Sequence, residues 1–497
     1  MKIKNRLPII YFVAILFLLA FSSLLVVDYN TLRGVKRFFL GDTALKSVLS
    51  QFHAQFIPQK LINYPRTNTD TSFGITWAFR PSHALPTNPI PVVTDADKDG
   101  NPEIYIGSYT KEVTVLDGKE RKILWQWHLP FGVIGARVLA LTDLDGDDKE
   151  ELLIGSHTSL PIRLYAIKTE PKLKEKERLL WKLNTSGDFL EGGLNIYADT
   201  LNKQKYIVTA SRDATYSRGS LQVCNTKGKL YYDNITGIDN CVSRPPLGKI
   251  ISNDTPIIVN GSHNYYHPIW GNKFTARNLF TGKLVWKTPS LGDGGYLQHV
   301  IADLNFDGKK EVLIYFIDSL RKTQHWILNG VNGKKITEVD WELQGIDMEN
   351  KTLLVSRKDS SFVLDMHGQV KFKMQKIDFS FKHGKTGKRV FFRVNNKDSF
   401  LKLIAYDGLT GKQIDSFQTS YNLPKHKRVS DYGILGEQTS KVSFLTLADT
   451  NNNGYWDILL QINDYVINVS IPYRVNKELS KYAPLPFRNI DNSGIIY

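Results

Sequence analysis

Residues 94–108 read "TDADKDGNPEIYIGS": aspartates at 95, 97 and 99, a glycine at 100, an acid at 103, then residues suited to a strand. The stretch returns as "TDLDGDDKEELLIGS" (142–156), "ADLNFDGKKEVLIYF" (302–316) and "ADTNNNGYWDILLQI" (448–462). Between these lie copies that keep the frame and lose most of the acids: "ADTLNKQKYIVTAS" (198–211), "ISNDTPIIVNGS" (251–262), "IDMENKTLLVSRK" (346–358) and a less regular "GKTGKRVFFRVNN" (384–396). Successive units stand roughly 40 to 60 residues apart, a period that marks an array of small structural repeats.

Each unit has one grammar. A short apolar strand enters the acidic turn, a second such as "EIYIGS" leaves it, and a third alternates, as in "VTVLDG" or "IRLYAI". A glycine turn then leads to an aromatic-bearing fourth strand: "ILWQWHLP" (123–130), "RLLWKLN" (178–184) or "KLVWKTP" (283–289). Short runs with period-two alternation, punctuated by Gly, Asn and Asp, are the all-β signature. Four strands per repeat predict an all-β chain folded as a β-propeller of four-stranded blades. Eight blades are favoured; seven remain possible because the unit near Gly384 is indistinct. A row of separate sandwiches is weaker, since each would draw its core from only about 50 residues. The last unit supplies three strands, and "GITWAFRP" (74–81) ahead of the first turn is the missing fourth. Pairing the two would close the ring and hide two sheet edges. The propeller is therefore expected over 74–470.

The acidic turns suit calcium, a hard cation that takes six to eight oxygens and prefers carboxylates. The first turn offers Asp95, Asp97 and Asp99 at alternate positions, the Asn101 carbonyl, and Glu103 to close the site. The second maps as Asp143, Asp145, Asp147, the Lys149 carbonyl and Glu151. Its glycine falls at 146 instead of 148, so Asp148 is expected to take the left-handed turn conformation, which Asp tolerates. The third uses Asp303, Asn305, Asp307, the Lys309 carbonyl and Glu311; the fourth uses Asp449, Asn451, Asn453, the Tyr455 carbonyl and Asp457. Up to four calcium ions follow, with affinity falling from the first two turns to the third and then the fourth as charge is lost. These are not EF-hands. The twelfth positions, where an EF-hand needs a bidentate Glu, hold Ile106, Ile154, Ile314 and Leu460. The ion's expected role is structural, neutralising clustered carboxylates and pinning two strands of a blade.

With these turns the chain resembles the FG-GAP or VCBS-type calcium-loop propellers, the repeat class of integrin alpha heads, over about residues 74–470. The resemblance implies a blade turn that binds calcium and a ring that binds a partner. "ARNLFTGKLVW" (276–286) and "AYDGLTGKQI" (405–414) are similar to the blade hairpin of quinoprotein-like propellers. That second likeness implies the hairpin and not the quinone, because no adjacent cysteines occur.

Ahead of the repeats, Lys2, Lys4 and Arg6 precede an uncharged apolar run, Leu7 to Val27. Its length fits a transmembrane helix, and the lack of a small-residue cleavage site favours an uncleaved signal anchor over a cleaved signal. The positive flank predicts a cytoplasmic N-terminus and an exported remainder, periplasmic or extracellular. Residues 28–73 then read as a stalk and 471–497 as a tail. The net charge of +15 includes a stretch, 371–402, with ten Lys or Arg and two Asp. No nucleic-acid motif accompanies it, so nucleic acid is not an expected partner and a solvated basic face is the plainer reading. Cys224 and Cys241 could close one disulfide in an oxidising compartment. No Cys-x-x-Cys occurs, which argues against thiol redox chemistry and structural zinc.

A partner is expected at loops entering the innermost strands. Those include "SGDFLEGGLN" (186–195) with Asp188 and Glu191, and "SLGDGGYLQH" (290–299) with Asp293, Tyr296 and His299. "SHNYYHPIWGN" (262–272) groups His263, Tyr265, Tyr266, His267 and Trp270, aromatic platforms suited to sugars or peptides. No catalytic residue is assigned: there is no nucleophile elbow, phosphate loop or metalloprotease helix. The expected function is a membrane-anchored, extracytoplasmic propeller that binds a protein or glycan partner. The alternatives are a calcium-dependent polysaccharide lyase or hydrolase on the same scaffold, and a quinoprotein-like envelope assembly factor.

Overall fold

The computed structural model describes residues 59–475, apart from 65–72, 82–90, 109–111, 130–133, 158–161, 185–193, 213–218, 237–244, 252–254, 262–272, 292–297, 321, 383–387, 398–399, 421–428, 431–432, 435–441 and 463–464. Each repeat is an antiparallel sheet whose strands follow chain order. Seven sheets span 92–128, 134–184, 194–236, 247–287, 298–339, 342–375 and 379–420, numbered here as blades 1 to 7. Blade 8 is composite: Val442–Ala448, Tyr455–Ile462 and Tyr465–Arg474 are joined by Gly74–Arg80. The chain is an eight-bladed β-propeller. A two-stranded ribbon, Val429–Ser430 with Gly433–Ile434, stands apart from the blades.

The closing strand lies antiparallel to the last one, with Ala78 opposite Ile467 and Phe79 opposite Val466. Trp77, Ala78 and Phe79 are buried in the cores on either side. Lys60–Asn63, in the stretch the sequence assigned to the stalk, pairs with Trp77–Arg80 and makes blade 8 five-stranded. The last strand runs to Arg474, past the expected boundary at 470.

Burial follows strand order. Second strands are sealed on both faces, as in Glu103–Gly107 and Ile257–Gly261, and read as continuous apolar runs. Fourth strands form the rim and alternate or lie open, as in Lys122–His128 and Val370–Gln375. Cores form between neighbouring blades: one cluster joins Tyr105 and Val115 of blade 1 to Leu152 and Ile167 of blade 2.

A recurring packing ties each of three rims to the next blade. Trp181 on the fourth strand of blade 2 lies against Gly228, in the last hairpin of blade 3, and its indole N–H donates to Thr226 O at 2.8 Å. Trp286 of blade 4 repeats this against Gly333 of blade 5 with a 2.8 Å bond to Gly330 O, and Phe372 of blade 6 against Gly411 of blade 7. The glycine has φ +72°, +69° and +67° in the three cases, and a Cβ there would strike the ring.

Blade 1 solves the same contact differently. Arg178, 1% exposed, closes the longer hairpin of blade 2 and stacks its guanidinium 3.8 Å from the Trp125 ring centroid. It donates to the carbonyls of Lys168, Glu170, Pro171 and Leu173 at 3.0–3.3 Å, which holds that loop shut. The short 3₁₀ turn in this hairpin, Glu175–Glu177, reaches the rim strand, where Glu175 accepts from the His128 N–H at 2.6 Å. Among the described residues no helix is long and apolar enough to cross a membrane; the run Leu7 to Val27 lies outside them.

Candidate metal centre

The four acidic turns share one geometry. Each joins the first strand of a blade to the second, and the paired residues at its mouth are Thr94 and Glu103, Thr142 and Glu151, Ala302 and Glu311, Ala448 and Asp457. The N–H of the second turn residue donates to the ninth-position carboxylate: Ala96 to Glu103 at 2.9 Å, Leu144 to Glu151 at 2.7 Å, Leu304 to Glu311 at 2.9 Å, Thr450 to Asp457 at 3.1 Å. The seventh N–H donates to the fifth side chain: Asn101 to Asp99 at 2.7 Å, Lys149 to Asp147 at 2.9 Å, Lys309 to Asp307 at 2.7 Å, Tyr455 to Asn453 at 2.9 Å. Two residues in every turn are left-handed, at the fourth and sixth positions. They are Lys98 and Gly100, Gly146 and Asp148, Phe306 and Gly308, Asn452 and Gly454, with Asp148 at φ +69° as its neighbours require.

The turns differ in what the acids are left to do. In the first, carboxylate oxygens of Asp95, Asp97, Asp99 and Glu103 lie within 4.8 Å of one another; in the second, so do those of Asp143, Asp145 and Glu151. Gly100 N–H engages only Oδ2 of Asp95, at 3.0 Å, and Oδ1 is buried with no hydrogen-bond donor. In the third turn both oxygens of Asp303 are taken, by Asp307 N–H at 3.1 Å and Gly308 N–H at 3.0 Å. Asp449 in the fourth is likewise held by Asn453 at 3.0 Å and Gly454 at 2.8 Å. A buried carboxylate oxygen without a donor, facing three other carboxylates, fits a cation.

Electrostatics agree with the crowding. Burial pushes Glu103 up to about 8, against the Ala96 bond, with Asp97, Asp95 and Asp99 raising it further. Glu151 and Glu311 are pushed up to about 7 and Asp457 to about 6, in each case first by burial. Such clustering is unfavourable unless a proton or a cation neutralises it.

At two seams a basic side chain from the following blade reaches the first aspartate of the preceding turn. The Lys205 ammonium of blade 3 donates to the Asp143 carbonyl of the second turn and lies 4.0 Å from the Asp143 carboxylate. Arg389 of blade 7, paired with Lys382 at the mouth of its own turn, places Nε 3.1 Å from Asp347 of blade 6. Burial would raise Asp347, but Arg389 and Asn350 outweigh it and hold the acid below its ordinary range. The turns at Asp199 and Asp347 are shorter and keep that first aspartate, which accepts from N–H groups of the turn; the second also keeps Glu349.

The ligand candidates fare unevenly. Asp188, Glu191, His263, Tyr265, Tyr266, His267, Trp270, Asp293, Tyr296 and Cys241 lie outside the described residues. His299 is within them and is no ligand group. It is 2% exposed, its Nε2–H donates to Val259 O of blade 4 at 2.9 Å, and its ring sits edge-on to Phe274 at 5.5 Å. A polar residue on an inner strand satisfies a neighbour's carbonyl here instead of facing a ligand. Cys224 is a free thiol, buried in the core of blades 2 and 3, and burial pushes it up to about 12. Arg178, Lys205 and Arg389 were missed by sequence reasoning. Only Arg389 left a signal, standing at the mouth position where the four acidic units carry Glu103, Glu151, Glu311 and Asp457.

No family model matches the chain, and no curated protein matches it. Solved structures match in fold. The Dos1 propeller is 9% identical over 80% of this chain and 95% of its own, with a TM-score of 0.46. The C-terminal WD40 domain of Sif2 is 11% identical over 77% and 97%, with a TM-score of 0.44. A europium-containing methanol dehydrogenase is 14% identical over 72% and 76%, with a TM-score of 0.38.

Proposed function

We propose that this chain is a membrane-anchored, extracytoplasmic propeller of the calcium-loop type that binds a protein or glycan partner, with calcium as a staple in its blade turns. The observation that carries the calcium reading is the first turn: four carboxylates within 4.8 Å and a buried Asp95 oxygen that receives no hydrogen bond. The second turn ranks below it, because the Lys205 ammonium already sits beside Asp143. The third and fourth rank lower again, their first aspartates being saturated by backbone donors. This refines the order expected from charge alone. Bound calcium would link the first and second strands of a blade and leave the rest of the ring to present a binding surface.

The test is thermal unfolding of the full chain in detergent micelles, in calcium and in a chelator. Calcium at 100 times its dissociation constant adds about 2.7 kcal/mol per site, so a rise of several degrees is expected. An unchanged transition would sink the staple reading. The enzyme alternative is a calcium-dependent polysaccharide lyase or hydrolase on the same scaffold. With His299 buried against Phe274, its loss would act through packing, so turnover of acidic polysaccharide is the direct test of that alternative.

A further inference from the structure

The basic stretch 371–402 does not coat one blade. Lys371 and Lys373 lie on the fourth strand of blade 6, while Arg389 and Arg393 lie on the second strand of blade 7, with Lys388 just before it. The charges therefore run along the seam between the two blades. Three of the other seams are closed at the turn-bearing end by short bonds. Glu150 N–H donates to Ala96 O at 2.9 Å between blades 2 and 1, and Lys310 N–H to Ile250 O at 2.9 Å between blades 5 and 4. Asn452 Nδ2 donates to Gly100 O at 2.9 Å between blades 8 and 1. Between blades 6 and 7 the bridge is the longer Arg389 side chain, and a cleft of about 310 Å³ opens beside it.

Two kinds of surface meet in this cleft. Lys371, Lys388 and Arg389 line it on the basic side and Asp347 and Glu349 on the acidic side, with Arg389 Nε 3.1 Å from Asp347. Phe372, Phe391 and Leu409 supply apolar surface. Its lip is open and apolar at Leu409, which is 60% exposed. The volume is at the low end for ligand sites and suits one or two side chains.

We infer that the cleft between blades 6 and 7 docks a peptide segment of a partner protein that alternates acidic with aromatic or aliphatic residues. The acids would face Lys371 and Lys388, and the apolar side chains would cover Phe372 and Leu409. An acidic glycan would satisfy the cations and leave the apolar lip wet, which favours the peptide. The inference rests on the reading of the ring as a partner-binding scaffold and states the partner's chemistry.

Fluorescence anisotropy of a labelled Asp-Glu-Phe-Asp-Leu-Glu peptide against the full chain in micelles tests it, with Lys-Lys-Phe-Lys-Leu-Lys as the reversed probe. The acidic peptide should saturate and the basic one should not. K371E/K388E should lose at least about tenfold in affinity at low salt with an unchanged melting temperature. K227E/K229E, the same charge change on the blade 3 hairpin, should bind as the parent does. Equal loss in both variants, no saturable binding by the parent, or displacement of the peptide by oligogalacturonate at lower concentration than by unlabelled peptide would each overturn the site. Should a crosslinked partner bind the parent and K371E/K388E alike, the scaffold reading stands and this site falls. If no protein binds the parent at all, both fall.

Discussion

Gly228→Ala and Gly368→Ala form a matched pair that isolates the ring-on-glycine packing. Both glycines sit in the last hairpin of a blade with φ of +72° and +77°. The hairpins are alike: Asn225 Oδ1 accepts from Lys227 and Lys229 N–H at 3.0 and 2.9 Å, and Asp365 Oδ1 from His367 and Gln369 at 2.9 and 2.8 Å. They differ in what a methyl would meet. At Gly368 nothing lies within 4 Å, whereas at Gly228 the Trp181 ring atoms Cδ2 and Cε3 are 2.8 Å away. Alanine in a left-handed conformation costs about 1–2 kcal/mol, and Gly368→Ala should stop there. Gly228→Ala adds overpacking of about 1–3 kcal/mol and the strain or loss of the indole bond to Thr226, about 1 kcal/mol. A total of about 3–6 kcal/mol is expected. Urea unfolding followed by tryptophan fluorescence reads the two midpoints. Adding Trp181→Ala should erase most of the difference between the hairpins, as a double-mutant cycle reports for a direct contact. Equal midpoints for the two alanine variants would refute the reasoning, since strain would then be the whole cost.

Three further outcomes are expected. Asp95→Asn should abolish most of the calcium-dependent rise in melting temperature, and Asp303→Asn only a minor part; calorimetric titration with calcium checks the order. His299 is pushed down to about 4 by burial, against its bond to Val259. The unfolded chain takes up its proton near pH 6.5, so native stability is complete above that value and falls as pH drops toward 4, by at most about 3 kcal/mol. His299→Phe should flatten this limb relative to the parent in melts between pH 4 and 7. Arg178→Leu leaves four carbonyls without their donor and should destabilise by about 3–5 kcal/mol, with protease cleavage appearing in the 168–178 hairpin; an uncleaved, equally stable variant would remove Arg178 from the account.

Much of the ring could be read directly. The repeat frame located every turn between first and second strands, the absent fourth strand of the last unit pointed to Gly74–Arg80, and misplacement of one glycine foretold the conformation of Asp148. What escaped depended on neighbours distant in the chain. Lys60–Asn63 is too short to carry a pattern, and only an edge waiting beside it makes it a strand. Arg178 reads as a surface residue until Trp125, fixed by another blade, offers it a face. The basic stretch looked like one face because sequence order conceals that a fourth strand and the next blade's second strand flank one seam. His299 was misjudged for the same reason: the Val259 carbonyl that employs it belongs to the preceding blade.

The manner of closure bears on how the chain acquires its shape. Thr76 and Asn468 share a 2.8 Å hydrogen bond across 392 residues of sequence. The edge of the strand bearing Trp77 and Phe79 that pairs with the Asn468 strand waits for a partner 392 residues further along the chain, so during synthesis it stays open while the residues between are made. Seven blades can form from local hairpins in the meantime, but the eighth must wait for a long-range encounter, the slow step for such topologies. Losing the last strand would therefore reopen the circle at both ends, and that waiting edge is where misassembly between two growing chains is expected to begin.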